Sequence, residues 1–210
     1  IPIIYDMEED SIFYYLIEEY LEGESLYALV NRQGSLTGIK LISFGMELCQ
    51  IMDYLHSFKP NPILYLDLQP HNILICRGTL KLIDFDQAVS VSHTGKTEKR
   101  YGTQGFAAPE QYTEPMDVRT DIYAIGALLH YMFTGKSPDM QAIVTPGREP
   151  ADLKSAGTVN SGWEEKLRAI IGRCLRRHKE ERYENVREVL EELIELKQGV
   201  FNEENISLLR

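Results

Sequence analysis

The chain has 210 residues, of which 43% are hydrophobic and 26% are charged. These proportions are ordinary for a soluble globular protein, and the length suits one large domain or two small ones with a buried core. The formal net charge is −10, from 22 basic and 32 acidic residues. This balance argues against nucleic acid as the main partner, because phosphate binding needs a basic surface.

Three features bear on the location and extent of the chain. No apolar run is long enough to span a bilayer, so we expect no membrane contact in this segment. The cysteines, Cys49, Cys76 and Cys174, are scattered in apolar contexts, which favours buried reduced thiols and a cytoplasmic location. The first residue is Ile1 rather than Met, which indicates a fragment, a processed product or an excised piece.

The first third of the chain predicts a hairpin followed by two helices. Residues 1–20 contain two runs rich in Ile, Tyr and Phe around the acidic turn Glu8–Asp10, and such runs favour β-strands. Two strands alone are not stable, so this hairpin needs a sheet or a partner. A short helix should end at Gly34, and apolar residues at every third or fourth position predict a long amphipathic helix from Ser35 to Ser57.

The middle of the chain predicts short strands and a long irregular loop. The strands are expected at 63–66, 73–76 and 79–83, and the last two are joined by a turn at Arg77-Gly78. Residues 84–116 have no sustained period and are rich in Ser, Thr, Gly, Lys and Pro. A loop of that length in a compact domain is usually functional or disordered.

The C-terminal half predicts three helices. Residues 117–134 are apolar almost all round, which predicts a helix that is buried on most sides and ends at Gly135. Residues 136–160 are irregular. Two capping boxes predict the starts of two more helices, the second ending near Lys197: Ser161 with Glu164, and Asn185 with Glu188.

Polar side chains stand at the ends of the predicted strands in the middle of the chain. Asp67 closes one strand, Asn72 precedes the next, and Asp84 follows the third. Strand ends in adjacent positions can direct all three side chains into one cleft. Carboxylate and amide oxygens suit Mg²⁺ with a phosphate ligand, and a further carboxylate can orient or deprotonate a hydroxyl. Each residue alone is also typical of a turn, but the D-x4-N spacing ahead of a strand, a hairpin turn and I-D-F favours a site.

Four motifs follow one another in this part of the chain. The stretches are YLDLQPHN at 65–72, DFD at 84–86, GT at 102–103 and APE at 108–110. In this order they resemble the catalytic loop, the D-F-G turn, the substrate-facing loop and the A-P-E motif of the eukaryotic-type Ser/Thr protein kinases, particularly their bacterial members. The resemblance runs from Ile1 to about residue 197. It implies an α+β, protein kinase-like fold with a mainly α-helical large lobe and small β-hairpins.

The resemblance implies a role for each motif residue. Asp67 would accept the proton of the substrate hydroxyl, and Thr103 would contact Asp67. Asn72 and Asp84 would hold Mg²⁺, with Asp84 bridging the metal and the phosphates. Gln69 stands where the family has a lysine that helps to neutralise the transferred phosphoryl group. Glutamine donates a hydrogen bond but carries no charge, which implies weaker transition-state stabilisation.

Other positions imply structural and nucleotide contacts. Asp121, in DIYAIG at 121–126, would hold the backbone of the catalytic loop. Glu110 and Arg182 would form a buried ion pair, because a buried carboxylate needs a cation and arginine offers two parallel hydrogen bonds. The residues that the resemblance implies for ATP binding are Glu19, Tyr20, Leu21, Leu74 and Ile83.

The resemblance also implies an incomplete domain. Residues 1–18 would be the last two strands of the kinase small lobe, 19–198 the large lobe, and 199–210 a C-terminal tail. No glycine-rich loop, V-A-I-K-type lysine or glutamate-bearing helix precedes Ile1, so most of the N-terminal lobe is expected to be missing. We expect the parent protein to phosphorylate Ser or Thr of protein substrates with ATP and Mg²⁺, and this chain to be inactive alone. Its exposed small-lobe strand edge invites association with another chain.

One departure from the family pattern concerns regulation. Leu66 replaces the arginine that normally pairs with a phosphorylated activation loop. The hydroxyl residues of that loop are Ser90, Ser92, Thr94 and Thr97. We therefore expect that phosphorylation of this loop is not the main on-switch.

Three further departures concern the nucleotide side. Asp86 replaces a glycine, which makes a flip of this turn less free. Glu18 stands at the apparent gatekeeper position, where a hydrophobic residue is more common. Tyr65 replaces a histidine, and its ring can still pack against Phe85.

Two other interpretations stay open. Small-molecule phosphotransferases of the aminoglycoside/choline kinase type carry a similar D-x4-N and a similar IDF-acid, but they lack GT…APE and the distal arginine. A pseudokinase or scaffold domain would explain Gln69, Asp86 and the missing lobe. The retained Asp67, Asn72 and Asp84 argue against that interpretation.

Overall fold

The structure is a computed structural model and describes residues 1–91, 102–113, 115–139 and 162–208. The α-helices in these ranges are α1 Leu26–Gln33, α2 Gly38–His56, α3 Val118–Thr134, α4 Gly162–Cys174 and α5 Val186–Leu208. The strands are β1 Ile4–Glu9, β2 Tyr14–Glu18, β3 Glu24–Ser25, β4 Ile63–Leu64, β5 Ile73–Cys76, β6 Thr79–Leu82 and β7 Val89–Ser90. The helices share one apolar core and the strands form three small sheets. This is the predicted α+β, mainly helical architecture.

Helix α3 is the centre of the core. Asp117 caps its start by accepting a hydrogen bond from the Arg119 N–H, and Gly135 ends it in the left-handed conformation at φ 76°. All residues from Thr120 to Phe133 are buried, and the helix packs against α2, α4 and α5. The prediction of a buried helix that ends at Gly135 is therefore confirmed. In the described part of the chain, no helix is both long enough and apolar enough to cross a bilayer.

Helix α1 begins at a polar cap, and helix α2 begins later than the sequence predicted. The Ser25 hydroxyl oxygen accepts a hydrogen bond from the Ala28 N–H at 3.1 Å and so caps α1. Helix α2 begins at Gly38, later than the predicted start at Ser35. The intervening Leu36 is buried instead, and its N–H donates to the Met132 carbonyl of α3.

The two predicted capping boxes have different outcomes. At the start of α5, Asn185 Nδ2 donates to Glu188 Oε1 at 3.0 Å, and the Glu188 N–H donates back to Asn185 Oδ1 at 3.3 Å. This box is therefore present. The predicted box of Ser161 with Glu164 stays a prediction, because Ser161 lies outside the described residues.

Helix α5 is longer than predicted. The sequence predicted an end near Lys197, but the helix continues to Leu208. The buried Val200 extends the apolar face of the helix past Gly199. Burial of that face keeps the chain helical at a residue that would otherwise favour a stop.

Strands β1 and β2 form an antiparallel hairpin, as predicted. Its turn lies at 10–13 rather than at Glu8–Asp10, because Asp10 Oδ1 accepts hydrogen bonds from the N–H groups of Ile12 and Phe13, both at 2.7 Å. Every residue of the two strands is exposed. Association through this edge stays a prediction.

The remaining strands lie around the polar residues of the catalytic-loop motif. Strand β5 pairs with β6 across the predicted turn at Arg77-Gly78 and with β3 on its other side. The predicted strand 63–66 is shortened to β4, because Leu66 has φ 66°, which is outside the strand region. The predicted loop 84–116 contains β7, which pairs with β4, and a short 3-10 helix at Pro109–Tyr112.

Candidate active site

The carboxylate of Asp67 is the centre of a hydrogen-bonded group of side chains. The Thr103 hydroxyl donates to Asp67 Oδ1 at 2.8 Å. Gln69 Nε2 and Asn72 Nδ2 donate to Asp67 Oδ2 at 2.9 and 2.8 Å, and Asn72 Nδ2 is also 3.0 Å from the Asp67 carbonyl oxygen. The structure thus brings together all the residues predicted to be catalytic except Asp84.

The backbone beside Asp84 is hydrogen-bonded to the segment of Asp67 and Asn72. The Ile83 N–H donates to the Asn72 carbonyl at 3.0 Å, and the Tyr65 phenol donates to the Ile83 carbonyl. Burial raises the pKa of the Tyr65 phenol, and the negative charges of Asp67 and Asp84 raise it further. The residue before Asp84 is therefore hydrogen-bonded both to Asn72 and to Tyr65, two positions before Asp67.

Asp121 holds the backbone just before Asp67. Its Oδ1 accepts a hydrogen bond from the Leu66 N–H and its Oδ2 from the Tyr65 N–H, both at 2.9 Å. Leu66 has φ 66°, and Asp84 has φ 63°, a conformation that residues other than glycine rarely adopt. Such strain is of order 1–3 kcal/mol per residue and persists only where the surroundings fix it. The fully buried Asp121 is the group that fixes it at Leu66.

His56, which the sequence did not single out as a site residue, also contacts the Asp121 carboxylate. Its Nε2 lies 2.9 Å from Asp121 Oδ2, and its side chain is only 7% exposed. His56 is the last residue of α2, so the contact joins the end of that helix to α3. The sequence offered no signal for this contact, because the two residues are 65 positions apart.

Gln111 is a second residue that the sequence analysis missed. Its Nε2 donates to the Leu66 carbonyl at 2.9 Å, and its Oε1 accepts from the Ala108 N–H at 2.9 Å. The buried amide therefore ties the APE segment to the catalytic loop. The available signal was its position directly after Glu110, at the end of the APE motif.

Arg182 and Glu110 form the expected buried ion pair. The two guanidinium nitrogens lie 2.6 and 2.9 Å from the two carboxylate oxygens, and the side chains are 0% and 4% exposed. Arg182 also donates to the backbone carbonyls of Arg119, Arg176 and Arg177. A buried pair in this geometry, with its remaining donors satisfied, fixes the APE segment to the loop before α5.

The residues predicted to contact the nucleotide lie on β5, in the segment that precedes β3, and directly after β6. Leu74 of β5 pairs with Ser25 of β3, and β3 follows the segment of Glu19, Tyr20 and Leu21. The Glu19 N–H donates to the Ile3 carbonyl at 2.8 Å. Contact of these residues and Ile83 with ATP stays a prediction.

Comparison with known proteins decides the family. A family model described as the protein kinase domain matches residues 1–194. The chain belongs to the protein kinase family. The kinase domain is 30% identical, over 96% of the chain, to a probable serine/threonine-protein kinase of Clostridium acetobutylicum. It is 34% identical over 92% of the chain to serine/threonine-protein kinase B of Synechocystis sp., and 27% identical over 88% to serine/threonine-protein kinase PknB of Mycobacterium tuberculosis.

These comparisons confirm the resemblance to bacterial Ser/Thr protein kinases. The chain covers 31%, 34% and 30% of the three relatives, so it spans about a third of their length. Protein kinases in general use ATP with Mg²⁺. The comparisons favour neither the small-molecule phosphotransferase nor the pseudokinase interpretation.

Leu66 of the kinase domain belongs to a small apolar cluster beside the catalytic loop. Its buried members are Leu64, Leu66 and Met116, and the half-buried Val89, Val91 and Val118 pack against them. The position where the family has a phosphate-binding arginine is therefore filled by apolar packing between β4 and β7. Of the four hydroxyl residues predicted in the loop, Ser90 lies in β7, and Ser92, Thr94 and Thr97 lie outside the described residues.

Asp86, which replaces glycine in the DFD turn of the kinase domain, does not carry the strained backbone of that turn. The positive φ falls on Asp84, whereas Asp86 has an ordinary φ and its N–H donates to Asp84 Oδ1 at 3.3 Å. Phe85 packs edge-on against Tyr65, with ring centroids 5.1 Å apart, which is the contact expected for tyrosine in place of histidine. Glu18, at the apparent gatekeeper position, is exposed at the end of β2.

Proposed function

We propose that the protein containing this kinase domain transfers the terminal phosphoryl group of ATP to Ser or Thr hydroxyls of protein substrates. The observation that carries the proposal is the hydrogen bonding of Asp67 to Thr103, Gln69 and Asn72 in a domain of the protein kinase family. The similarity to proteins named serine/threonine-protein kinases supports the same chemistry.

In this proposal Asp67 orients the acceptor hydroxyl and takes its proton. Oδ2 is held by the amides of Gln69 and Asn72, which fixes the orientation of the carboxylate. Oδ1 has two lone pairs, so it can accept a hydrogen bond from Thr103 and a second one from the substrate hydroxyl. A base positioned in this way contributes about 10²–10⁴-fold to the rate. Gln69 supplies no positive charge, so we expect slower transfer than a lysine would support.

The side chains fit a magnesium–nucleotide site. Asn72 turns its Nδ2 toward Asp67, so its Oδ1 is the atom available to a metal. Asp84 contributes an exposed carboxylate nearby. Magnesium is usually held by one or two such groups together with nucleotide phosphates, and when bound it would offset the negative charge of those phosphates. The residues proposed to contact the rest of ATP are Glu19, Tyr20, Leu21, Leu74 and Ile83.

The test of this proposal uses the full-length protein. We expect incubation with γ-labelled ATP, Mg²⁺ and a generic protein such as casein to place the label on serine or threonine, and omission of Mg²⁺ to abolish transfer. Phosphoamino acid analysis of the labelled protein identifies the acceptor. Transfer to small amines or alcohols instead of protein, or no transfer to either, would contradict the proposal.

We further propose that loop phosphorylation is not the main on-switch of this kinase. Leu66 occupies the position of the phosphate-binding arginine and is packed among apolar side chains, so a phosphate on Thr94 or Thr97 would find no cation there. Removal of phosphate from the full-length protein should therefore change kcat by less than about threefold. The measurement is the initial rate before and after phosphatase treatment, with mass spectrometry to verify that the loop is dephosphorylated.

The control for this measurement is a kinase that depends on loop phosphorylation, treated with the same phosphatase. Its activity should fall steeply under conditions that spare the present protein. A comparably steep loss in the present protein would overturn the prediction.

A further inference from the structure

A cavity of about 400 Å³ lies between the end of α2 and the starts of α3 and α5. We call it the His56 cavity, and its wall includes His56, Lys59, Val118, Val186 and Arg187. None of the described residues that line it belongs to the proposed active site. A volume of this size accommodates a small organic molecule.

His56 gives the cavity wall a buried polar atom that lacks a partner. The side chain is only 7% exposed, and its Nδ1 has no hydrogen-bond partner among the described residues. The other ring nitrogen, Nε2, lies 2.9 Å from Asp121 Oδ2. Buried polar atoms in folded proteins nearly always have a partner, so a molecule bound in the His56 cavity is a suitable source of the missing one.

The contact with Asp121 determines what Nδ1 of His56 can bind. The Asp121 carboxylate already accepts the N–H groups of Tyr65 and Leu66, so it acts as an acceptor for Nε2 as well. With Nε2 as a donor, Nδ1 is an acceptor in the neutral imidazole and a donor in the imidazolium. A carboxylate or phosphate oxygen at Nδ1 would favour the imidazolium, because the positive ring then lies between two negative groups.

Two cationic side chains make the His56 cavity suitable for an anion. Lys59 and Arg187 both line it and are exposed. Arg187 donates through Nε to Asp53 Oδ1 at 2.7 Å, which balances that carboxylate and leaves the two NH₂ groups of the guanidinium for a ligand. The cavity also lies at the first turns of α3 and α5, where the peptide dipoles favour negative charge. Helix α2 presents its negative end there, and Lys59 offsets it.

The rest of the wall favours a ligand with an apolar part. Val118 and the buried Val186 line the His56 cavity, and their methyl groups favour contact with a ring or an alkyl group over contact with water. We propose that the His56 cavity binds a small organic acid. Its carboxylate or phosphate group would be held by His56 Nδ1, Lys59 and Arg187, and its apolar part would pack on the two valines. This inference does not depend on the proposed function.

The test uses the full-length protein and three fluorinated probes. Two are anions, 4-fluorobenzoate and 4-fluorophenyl phosphate, and the third is the neutral 4-fluorobenzamide. Titrations followed by ¹⁹F NMR give the Kd of each probe. We expect at least one anion to bind about 10-fold more tightly than the amide, and the tighter anion identifies the preferred acidic group.

Three variants place this binding in the His56 cavity. His56→Gln keeps an N–H for Asp121 but lacks the second ring nitrogen, so the Kd of the anion should rise about 10-fold. Lys59→Met and Arg187→Met change exposed residues, and each should raise it about 3- to 10-fold. Lys40→Met is the matched control, because Lys40 is an exposed lysine of α2 that lies about 24 Å from His56 along the helix axis. It should leave the Kd unchanged.

Several outcomes would overturn the inference. These are no binding of either anion, equal affinity for the amide, and an anion Kd that stays at the wild-type value in both Lys59→Met and Arg187→Met. Displacement of the bound anion by a non-hydrolysable ATP analogue would also overturn it, because the anion would then occupy the nucleotide site. If His56→Gln does not fold, as judged by circular dichroism, the variants of the two exposed cations still decide.

Discussion

Replacement of Asp67 by asparagine should lower kcat of the full-length protein by about 10²- to 10⁴-fold. The asparagine can keep the local hydrogen bonds, because its oxygen can accept from Gln69 and Asn72 and its NH₂ group can donate to the Thr103 hydroxyl. It loses the negative charge and the ability to take a proton from the acceptor. Initial rates of transfer to a protein substrate at saturating ATP measure this effect.

The matched control for this variant is Asp53→Asn, which makes the same chemical change away from the site. Asp53 lies on α2 and accepts a hydrogen bond from the exposed Arg187 at 2.7 Å. We expect its kcat to stay at the wild-type value, and both variants to keep the wild-type melting temperature to within a few degrees. If Asp67→Asn has the same kcat as Asp53→Asn, Asp67 is not the group that takes the proton of the substrate hydroxyl.

Replacement of Arg182 by methionine should lower the free energy of unfolding by about 3–5 kcal/mol. The change leaves the Glu110 carboxylate buried without its cation, and it removes the donors to the carbonyls of Arg119, Arg176 and Arg177. In a domain of this size, 1 kcal/mol corresponds to about 2–4 °C in Tm, so Tm should fall by roughly 6–20 °C. Thermal unfolding followed by circular dichroism and urea titration measure the two quantities.

Two comparisons show whether burial is the cause of this loss. Arg187→Met removes an arginine whose side chain is 65% exposed and pairs with Asp53, so its cost should be at most about 1 kcal/mol. The double variant Glu110→Leu with Arg182→Met removes both buried charges and should be more stable than Arg182→Met alone. An Arg182→Met variant as stable as Arg187→Met would show that the buried pair contributes little.

The helices that the sequence predicted well are those with local signals. Helix α3 has an aspartate cap, an unbroken apolar run and a glycine stop, and each of these acts within a few residues of its own position. The Asn185–Glu188 cap of α5 is local in the same sense. The end of α5 was wrongly predicted, because the burial of Val200, beyond Lys197, depends on packing against the rest of the domain.

The polar residues of the site were identifiable from the sequence, because their order and spacing match a family of known chemistry. The sequence alone therefore determined the family and named Asp67, Asn72, Asp84 and Thr103. Their mutual distances depend on backbone contacts that no local pattern contains. Leu66 has a left-handed backbone because Asp121, 55 residues away, accepts its N–H.

Only the tertiary structure decided which side chains surround these motif residues. His56 and Gln111 contact residues far away in the chain, and neither forms a short-range pattern with them. Hydrophobic periodicity and capping residues reflect interactions between residues that are close in sequence. The contacts that hold the Asp67 carboxylate or fill the position of a missing arginine arise when separate helices and loops pack together, so they become visible only in the folded domain.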